Sequence, residues 1–90
     1  MRAKVASEFP DALIIRFRNV RRITTEARHE VEFCGQVGTL SPGQLEPSYQ
    51  VFLYERTGTT ETVRILGADA LNGYRVGRKL ISALKRVGCM

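Results

Sequence analysis

The sequence predicts a small α+β domain, in which a four-stranded, mostly antiparallel sheet carries a C-terminal amphipathic helix packed on one face. Four segments alternate apolar with polar residues, as half-buried strands do, and turn-forming residues separate them. The C-terminal segment instead repeats its apolar positions with the period of a helix. Ninety residues, 43% of them hydrophobic and 26% charged, are enough for one core, so we expect a single domain over residues 1–90.

The N-terminal third of the chain predicts one short helix and two strands. Residues 3–9 fit one or two helical turns, which Pro10 would end because the residue before a proline is pushed out of the helical region. Residues 12–20 and 30–37 form the first two predicted strands, since apolar side chains occupy alternate positions in both.

Charged side chains on these two strands suggest a pairing. If the strands are antiparallel neighbours, Arg16 and Arg18 lie across from Glu30 and Glu32. Opposite charges placed across a sheet contribute roughly 0.2–1 kcal/mol per pair. We therefore expect the two arginines to have a structural use rather than a functional one.

Two further strands are predicted in the middle of the chain. The segment from Gly38 to Pro47 contains Ser41-Pro42-Gly43 and Glu46-Pro47 and predicts a long loop. Residues 48–56 carry large apolar groups on both faces, which predicts a central strand covered on both sides. Residues 61–67 form the fourth strand, and the turn at residues 57–60 makes it a short-loop hairpin with the third.

The last element is a predicted amphipathic helix. Asp69 suits its N-terminal cap, Arg75 is the expected start because Asn72-Gly73 is a turn-like pair, and Gly88 stands at the position of a C-terminal cap. One arc of the helical wheel is apolar and predicts the buried side: Tyr74, Gly77, Leu80, Ile81, Leu84 and Val87.

The charge of the chain is unevenly distributed. Residues 1–69 contain as many acidic as basic residues, so the formal net charge of +5 belongs to residues 70–90, which contain no acid. Its carriers all fall on the polar arc of the predicted helix: Arg75, Arg78, Lys79, Lys85 and Arg86. A cationic face without acidic partners favours an anionic partner, and these five residues are the candidate binding site.

No group of residues predicts catalysis, a cofactor or a metal centre, so we expect a protein that is not an enzyme. His29 is the single histidine and is expected to be a solvated loop residue. Phe52 and Tyr54 beside Arg56 resemble a base-stacking platform, but they fit a buried sheet face better.

Cys34 and Cys89 allow two interpretations. In an oxidising compartment they form a bridge that closes a long loop and contributes about 3–5 kcal/mol in the chain-entropy picture. In the cytosol both are ordinary small side chains. A bridge requires the C-terminus to fold back beside the second strand, with the two Cα atoms within about 7 Å.

Several short segments resemble a group of small uncharacterised bacterial proteins. Pro10-Asp11-Ala12 followed by Phe17-Arg18-Asn19-Val20 is similar to their F-R-N-V segment, and Cys34-Gly35-Gln36-Val37 to the C-G-x-V segment that follows. Tyr49 and Phe52 correspond to later aromatics of the group. Members of this group are often exported, so the resemblance implies a compact α+β domain and favours a bridged pair of cysteines, but it supplies no activity.

The leading functional prediction is a non-enzymatic binding or accessory domain that acts through the basic helix face or a sheet edge. Two alternatives are a nucleic-acid-binding module that contacts phosphates through the basic helix, and a small enzyme or inhibitor with a site in the loop Gly38–Pro47. An acidic protein is a further candidate partner, and a homodimer through a sheet edge a candidate assembly.

The basic start of the chain is not followed by the apolar core of a signal peptide, and no run could span a membrane. The chain as given is therefore expected in the cytoplasm, or in the periplasm or secreted if a signal peptide was removed.

Overall fold

The computed structural model describes residues 1–25, 28–66 and 78–90. Its elements, in chain order, are α1 (Arg2–Ala6), β1 (Ile14–Arg22), β2 (Val31–Leu40), β3 (Ser48–Thr57), β4 (Thr60–Leu66) and α2 (Arg78–Val87). The four strands form one antiparallel sheet in the order β1-β2-β3-β4. The predicted α+β fold is confirmed, and the described part of the chain contains no helix long and apolar enough to cross a membrane.

The two faces of the sheet have different cores. The face under α2, called here the helix face, buries a cluster made of Ile23, Cys34, Val51, Leu53, Leu66, Leu84 and Cys89. The opposite face, called the aromatic face, lies under α1 and is centred on Val5, Val37, Phe52 and Tyr54. Because successive side chains of a strand point to opposite faces, β3 contributes to both clusters. The prediction of a third strand covered on both sides is confirmed.

The predicted pairing of charges between β1 and β2 is wrong. Arg16 lies across from Gly38, and Arg18 lies across from Gln36. β1 ends two residues later than predicted, at Arg22, and β2 ends three residues later, at Leu40. The register between the two strands is shifted accordingly. The connection between β2 and β3 is accordingly residues 41–47, shorter than the predicted loop.

A β-bulge interrupts the pairing of β1 with β2 between Arg18 and Arg21. Asn19 takes a left-handed backbone conformation there, with φ of 54°. Asparagine is one of the few residues besides glycine that adopt this conformation readily, and a residue of this conformation is typical of one class of bulge. The bulge therefore divides β1 into a straight first half and a second half in a different register.

Helix α2 ends in a capping arrangement that positions the last cysteine. The amide of Gly88 donates to the carbonyl of Lys85, and the amide of Cys89 donates to the carbonyl of Leu84. Gly88 has φ of 88°, so the predicted C-terminal glycine cap is confirmed as a Schellman motif. The predicted cap Asp69 and the predicted helix start at Arg75 lie outside the described residues.

Candidate functional site

The described cations of α2 all lie at the surface. Arg78, Lys79, Lys85 and Arg86 are exposed, while Leu84 on the opposite arc is fully buried. The fifth candidate residue, Arg75, lies outside the described residues. The helix therefore turns these cations away from the sheet, as its apolar arc requires.

A second set of cations lies on β1, and the sequence predicts pairing across the sheet for two of them, Arg16 and Arg18. We call Arg16, Arg18, Arg21 and Arg22 the arginine edge. All four side chains are exposed, and β1 itself contains no acidic residue. Within the described residues, none of the four forms an ion pair with a carboxylate. Four guanidinium groups thus stand on one edge strand without a described anion.

The contacts of the arginine edge are with neutral groups. The Arg18 guanidinium lies over the ring of Tyr49, 3.6 Å from its centroid, and its Nε donates a hydrogen bond to Gln36. Arg21 donates to the carbonyl of Val20 at 3.1 Å, and Arg22 reaches a backbone carbonyl at 3.5 Å. These contacts orient the guanidinium groups but leave their positive charge uncompensated.

Gly38 makes the stacking of Arg18 on Tyr49 sterically possible. It lies across from Tyr49 in the β2–β3 register. A Cβ atom at position 38 would come within 2.6 Å of the tyrosine ring, so the ring occupies the space of the missing side chain. The ring is thereby held against the sheet, where Arg18 covers its other side.

The disulfide brings the end of α2 next to the arginine edge. Cys34 and Cys89 are bonded, with their Cα atoms 5.8 Å apart. Arg21 is the cross-strand neighbour of Cys34 on β1, and directly opposed side chains share a face of the sheet. The bridge therefore joins the end of α2 to the residue of β2 that lies beside Arg21.

The carboxylate of Glu32 is engaged inside the molecule, which explains why it does not reach β1. Its side chain is 2% exposed. It accepts hydrogen bonds from the amide and hydroxyl of Thr25, at 2.6 and 2.5 Å, and from the amide of His29 at 3.2 Å. Burial pushes its pKa upward, but these hydrogen bonds and the nearby imidazole outweigh burial and hold the pKa below its usual value.

Glu55 is the second buried carboxylate, and it lies directly across from Glu32 on the helix face. Arg64 donates to it at 2.9 Å, and His29 Nε2 contacts its other oxygen. His29 Nδ1 lies 2.9 Å from the hydroxyl of Thr57. The expectation of a solvated His29 is wrong, because the ring is partly buried and held at both nitrogens.

His29, Glu32 and Glu55 are residue types that bind metals, and their potential ligand atoms lie within 4.8 Å of one another. Each of these side chains already has a protein partner. Two like charges directly opposed in a sheet repel each other, and here Arg64 and His29 both contact the carboxylate of Glu55. We assign the cluster a structural role: it ties the connection between β1 and β2 to the sheet.

The aromatic face carries a shallow cleft of about 360 Å³, lined by Met1, Val31, Phe33, Tyr54, Arg56 and Glu61. The Tyr54 hydroxyl donates to Glu61 at 2.7 Å, and burial, together with that carboxylate, raises the pKa of Tyr54. Phe52 is fully buried and Tyr54 nearly so. The interpretation of these two aromatics as core rather than as a base-stacking platform is confirmed.

The loop of residues 41–47 offers little to the hypothesis of an enzyme or inhibitor site. Two hydrogen bonds join Ser41 and Gln44 inside the loop: the Ser41 amide donates to the Gln44 side chain, and the Gln44 amide donates to the Ser41 carbonyl. Leu45 and Glu46 at its tip are exposed. One of the two hydrogen bonds joins two backbone groups and the other uses the Gln44 side chain, which is the arrangement of a simple turn.

Comparisons of the chain with protein-family models, with curated proteins and with solved structures found no match. The resemblance of the F-R-N-V and C-G-x-V segments to a bacterial group stays a prediction.

Proposed function

We propose that the protein is a non-enzymatic, disulfide-bonded binding domain that holds an anionic partner on the arginine edge. One observation carries the proposal: four exposed arginines stand on one strand, and within the described residues none of them pairs with a carboxylate, while Glu32 and Glu55 are buried and engaged elsewhere. The exposed cations of α2 form a second basic set on the same domain.

The chemistry of arginine supports this assignment. The guanidinium group is always charged and presents a planar fork of donors that matches carboxylates and phosphates. Arg16 and Arg18 are two residues apart on a strand, so their side chains point to the same face with a spacing of roughly 6.5 Å. An anionic partner with groups at a similar spacing would relieve their mutual repulsion.

The disulfide bears on which anion is bound. A bridge between residues 55 positions apart in the chain is typical of proteins that fold in an oxidising compartment. Such a location favours an acidic protein over nucleic acid. The α2 cations still support the nucleic-acid alternative, because their exposed positions suit contacts with phosphates.

Two matched triple variants test the proposal. In the first, Arg16, Arg18 and Arg21 are replaced by Gln, and in the second Arg78, Lys85 and Arg86 are replaced by Gln. Each removes three positive charges from exposed positions. Retention is measured on immobilised polyglutamate and on single-stranded DNA at two salt concentrations, with circular dichroism to verify folding.

We expect the β1 variant to lose retention on polyglutamate and the α2 variant to keep most of it. Retention of the unaltered protein should fall steeply with salt, since charge attraction is screened. Stronger loss in the α2 variant, together with preference for DNA, would favour the nucleic-acid alternative. Equal retention of the β1 variant and the unaltered protein would overturn the proposal.

A further inference from the structure

We infer that the bound partner is an extended acidic polypeptide that pairs with the outer edge of β1 as a fifth strand of the sheet. The inference rests on the proposed function and adds to it the class of partner and the way it is held. It follows from three features of β1: an open edge, the spacing of its arginines, and two exposed apolar residues at its start.

The outer edge of β1 is open within the described residues. β1 is the first strand of the sheet order, and β2 is its one described neighbour. In an antiparallel ladder alternate residues turn their N–H and C=O groups toward and away from the neighbouring strand, so every second residue of Ile14–Arg18 turns these groups away from β2. Such an edge offers a row of unpaired N–H and C=O groups that an added strand can satisfy.

A second copy of this chain is a poor occupant of that edge. Pairing β1 with β1 would place four arginines of one copy beside four of the other. Like charges on adjacent strands are destabilising. The arginine edge thus opposes self-pairing while attracting a strand of opposite charge, which is how a sheet edge gains specificity.

The edge also distinguishes a polypeptide from a phosphate polymer. Carbonyl oxygens alternate with amides along it, and a phosphate backbone has no donors for those carbonyls. An extended peptide supplies both donors and acceptors. Glutamates at every second position of that peptide would share a face and repeat at roughly 6.5–7 Å, the backbone spacing of Arg16 and Arg18. To meet such a glutamate, the Arg18 side chain has to leave Tyr49 and Gln36 and turn to the outer edge.

The first half of β1 is the expected contact. Leu13 is 67% exposed and Ile14 is 42% exposed, and both precede the arginines. The bulge at Asn19 breaks the register of the strand after Arg18. We therefore place the added strand along Ile14–Arg18, with an apolar residue of the partner beside Leu13 and Ile14 and alternating acidic residues after it.

The test uses two peptides of the same sequence, an apolar residue followed by alternating Glu and Thr. One has an ordinary backbone, and the other has its backbone amides N-methylated throughout, which keeps the charge and removes the donors. Binding to the oxidised 90-residue protein is measured by titration, and hydrogen exchange of the β1 amides is measured with and without peptide. Single-stranded DNA and polyglutamate are titrated alongside.

We expect the ordinary peptide to bind at least tenfold more tightly than the methylated one and to protect amides of Ile14–Arg18. Replacing both Arg16 and Arg18 by Gln should abolish the binding. Equal binding of the two peptides, with dependence on the arginines, would overturn the fifth strand and leave anion binding in place. Binding of DNA without binding of either peptide would also overturn the fifth strand. If the protein binds no polyanion at all, the proposed function is overturned as well.

Discussion

The two faces of the sheet are covered in different ways. On the aromatic face, α1 and the strands pack apolar side chains directly, and Phe17 meets Phe52 edge to face with ring centroids 5.8 Å apart. On the helix face, the cover is α2, which fully buries one side chain, Leu84, and is tied to β2 by the disulfide. The same face also contains the two buried carboxylates.

The difference shows how a short helix can be held on a partly polar surface. Of the ten residues of α2, one is fully buried and three more pack partly buried against the cluster, and the sheet beneath them presents Glu32 and Glu55 as well as aliphatic groups. Burial of apolar surface is the main force that docks a helix. Where that surface is small, a covalent bond can supply the remaining stability by restricting the unfolded chain.

Removal of the disulfide should have the largest effect. Replacing Cys34 and Cys89 by Ala should lower the free energy of unfolding by about 4 kcal/mol, since the bridge closes a loop of 55 residues. Guanidinium unfolding of the variant and of the parent, each with and without reductant, measures this. If reductant leaves the parent as stable as before, the helix face is held by packing alone.

Truncation of Leu84 should have the next largest effect. Leu84→Ala should lower the free energy of unfolding by about 2–5 kcal/mol, because it empties a fully buried position at the centre of the helix face. Leu80→Ala, at a partly buried position of the same arc, is the matched control and should cost less. Equal losses would mean that α2 sits on the sheet in a different rotation.

The elements followed from the sequence better than the pairing between them did. Alternation of apolar residues identifies strands, and Gly88 marked the end of α2, because both signals are local. The partner of Arg18 depends instead on where β2 ends and on the bulge at Asn19, which no periodicity reveals. The sequence therefore predicts pairing of Arg16 and Arg18 with Glu30 and Glu32, and the arginine edge was missed.

The buried network was missed for a similar reason. His29 looks like a loop residue because its neighbours along the chain are polar. Its fixed position comes from Glu55 and Thr57, which β3 brings to it across the sheet. Contacts between residues far apart in the chain become visible only when the register is known.

The pH dependence of stability sharpens the comparison by testing the polar part of the helix face. The pKa of Glu32 is below its ordinary value of 4.5 in the folded protein. The unfolded chain therefore takes up this proton first as the pH falls, so the stabilisation is complete above about pH 4.5 and declines through the folded pKa. Glu32→Gln should flatten this decline.

Glu30→Gln is the matched control for that experiment. Glu30 is exposed and two residues away, and its replacement leaves the hydrogen bonds of Glu32 in place. Urea unfolding of both variants between pH 3 and 7 provides the measurement. A decline in the Glu32→Gln variant as steep as in the parent would show that other carboxylates dominate acid unfolding.

Charge removal on β1 should have the smallest effect on stability. Replacing Arg16 and Arg18 by Gln should change the free energy of unfolding by less than about 0.5 kcal/mol, and at low salt the change should be a gain, because repulsion between exposed cations is relieved. Thermal unfolding at two salt concentrations measures this. A large loss would mean that the stacking of Arg18 on Tyr49 is needed for folding.

The bond between Cys34 and Cys89 also turns most of the chain into a covalent ring. Of the four described strands, β1 alone lies wholly outside the ring, together with α1 and the first three residues of β2. When the oxidised molecule is pulled from its two ends, only the residues before Cys34 can be extended, to a length of roughly 110 Å. In the reduced chain all residues can be extended, to a length of about 300 Å. The strand that carries the arginine edge is thus the one that mechanical force, or exchange with another molecule, can peel from the sheet without breaking a covalent bond.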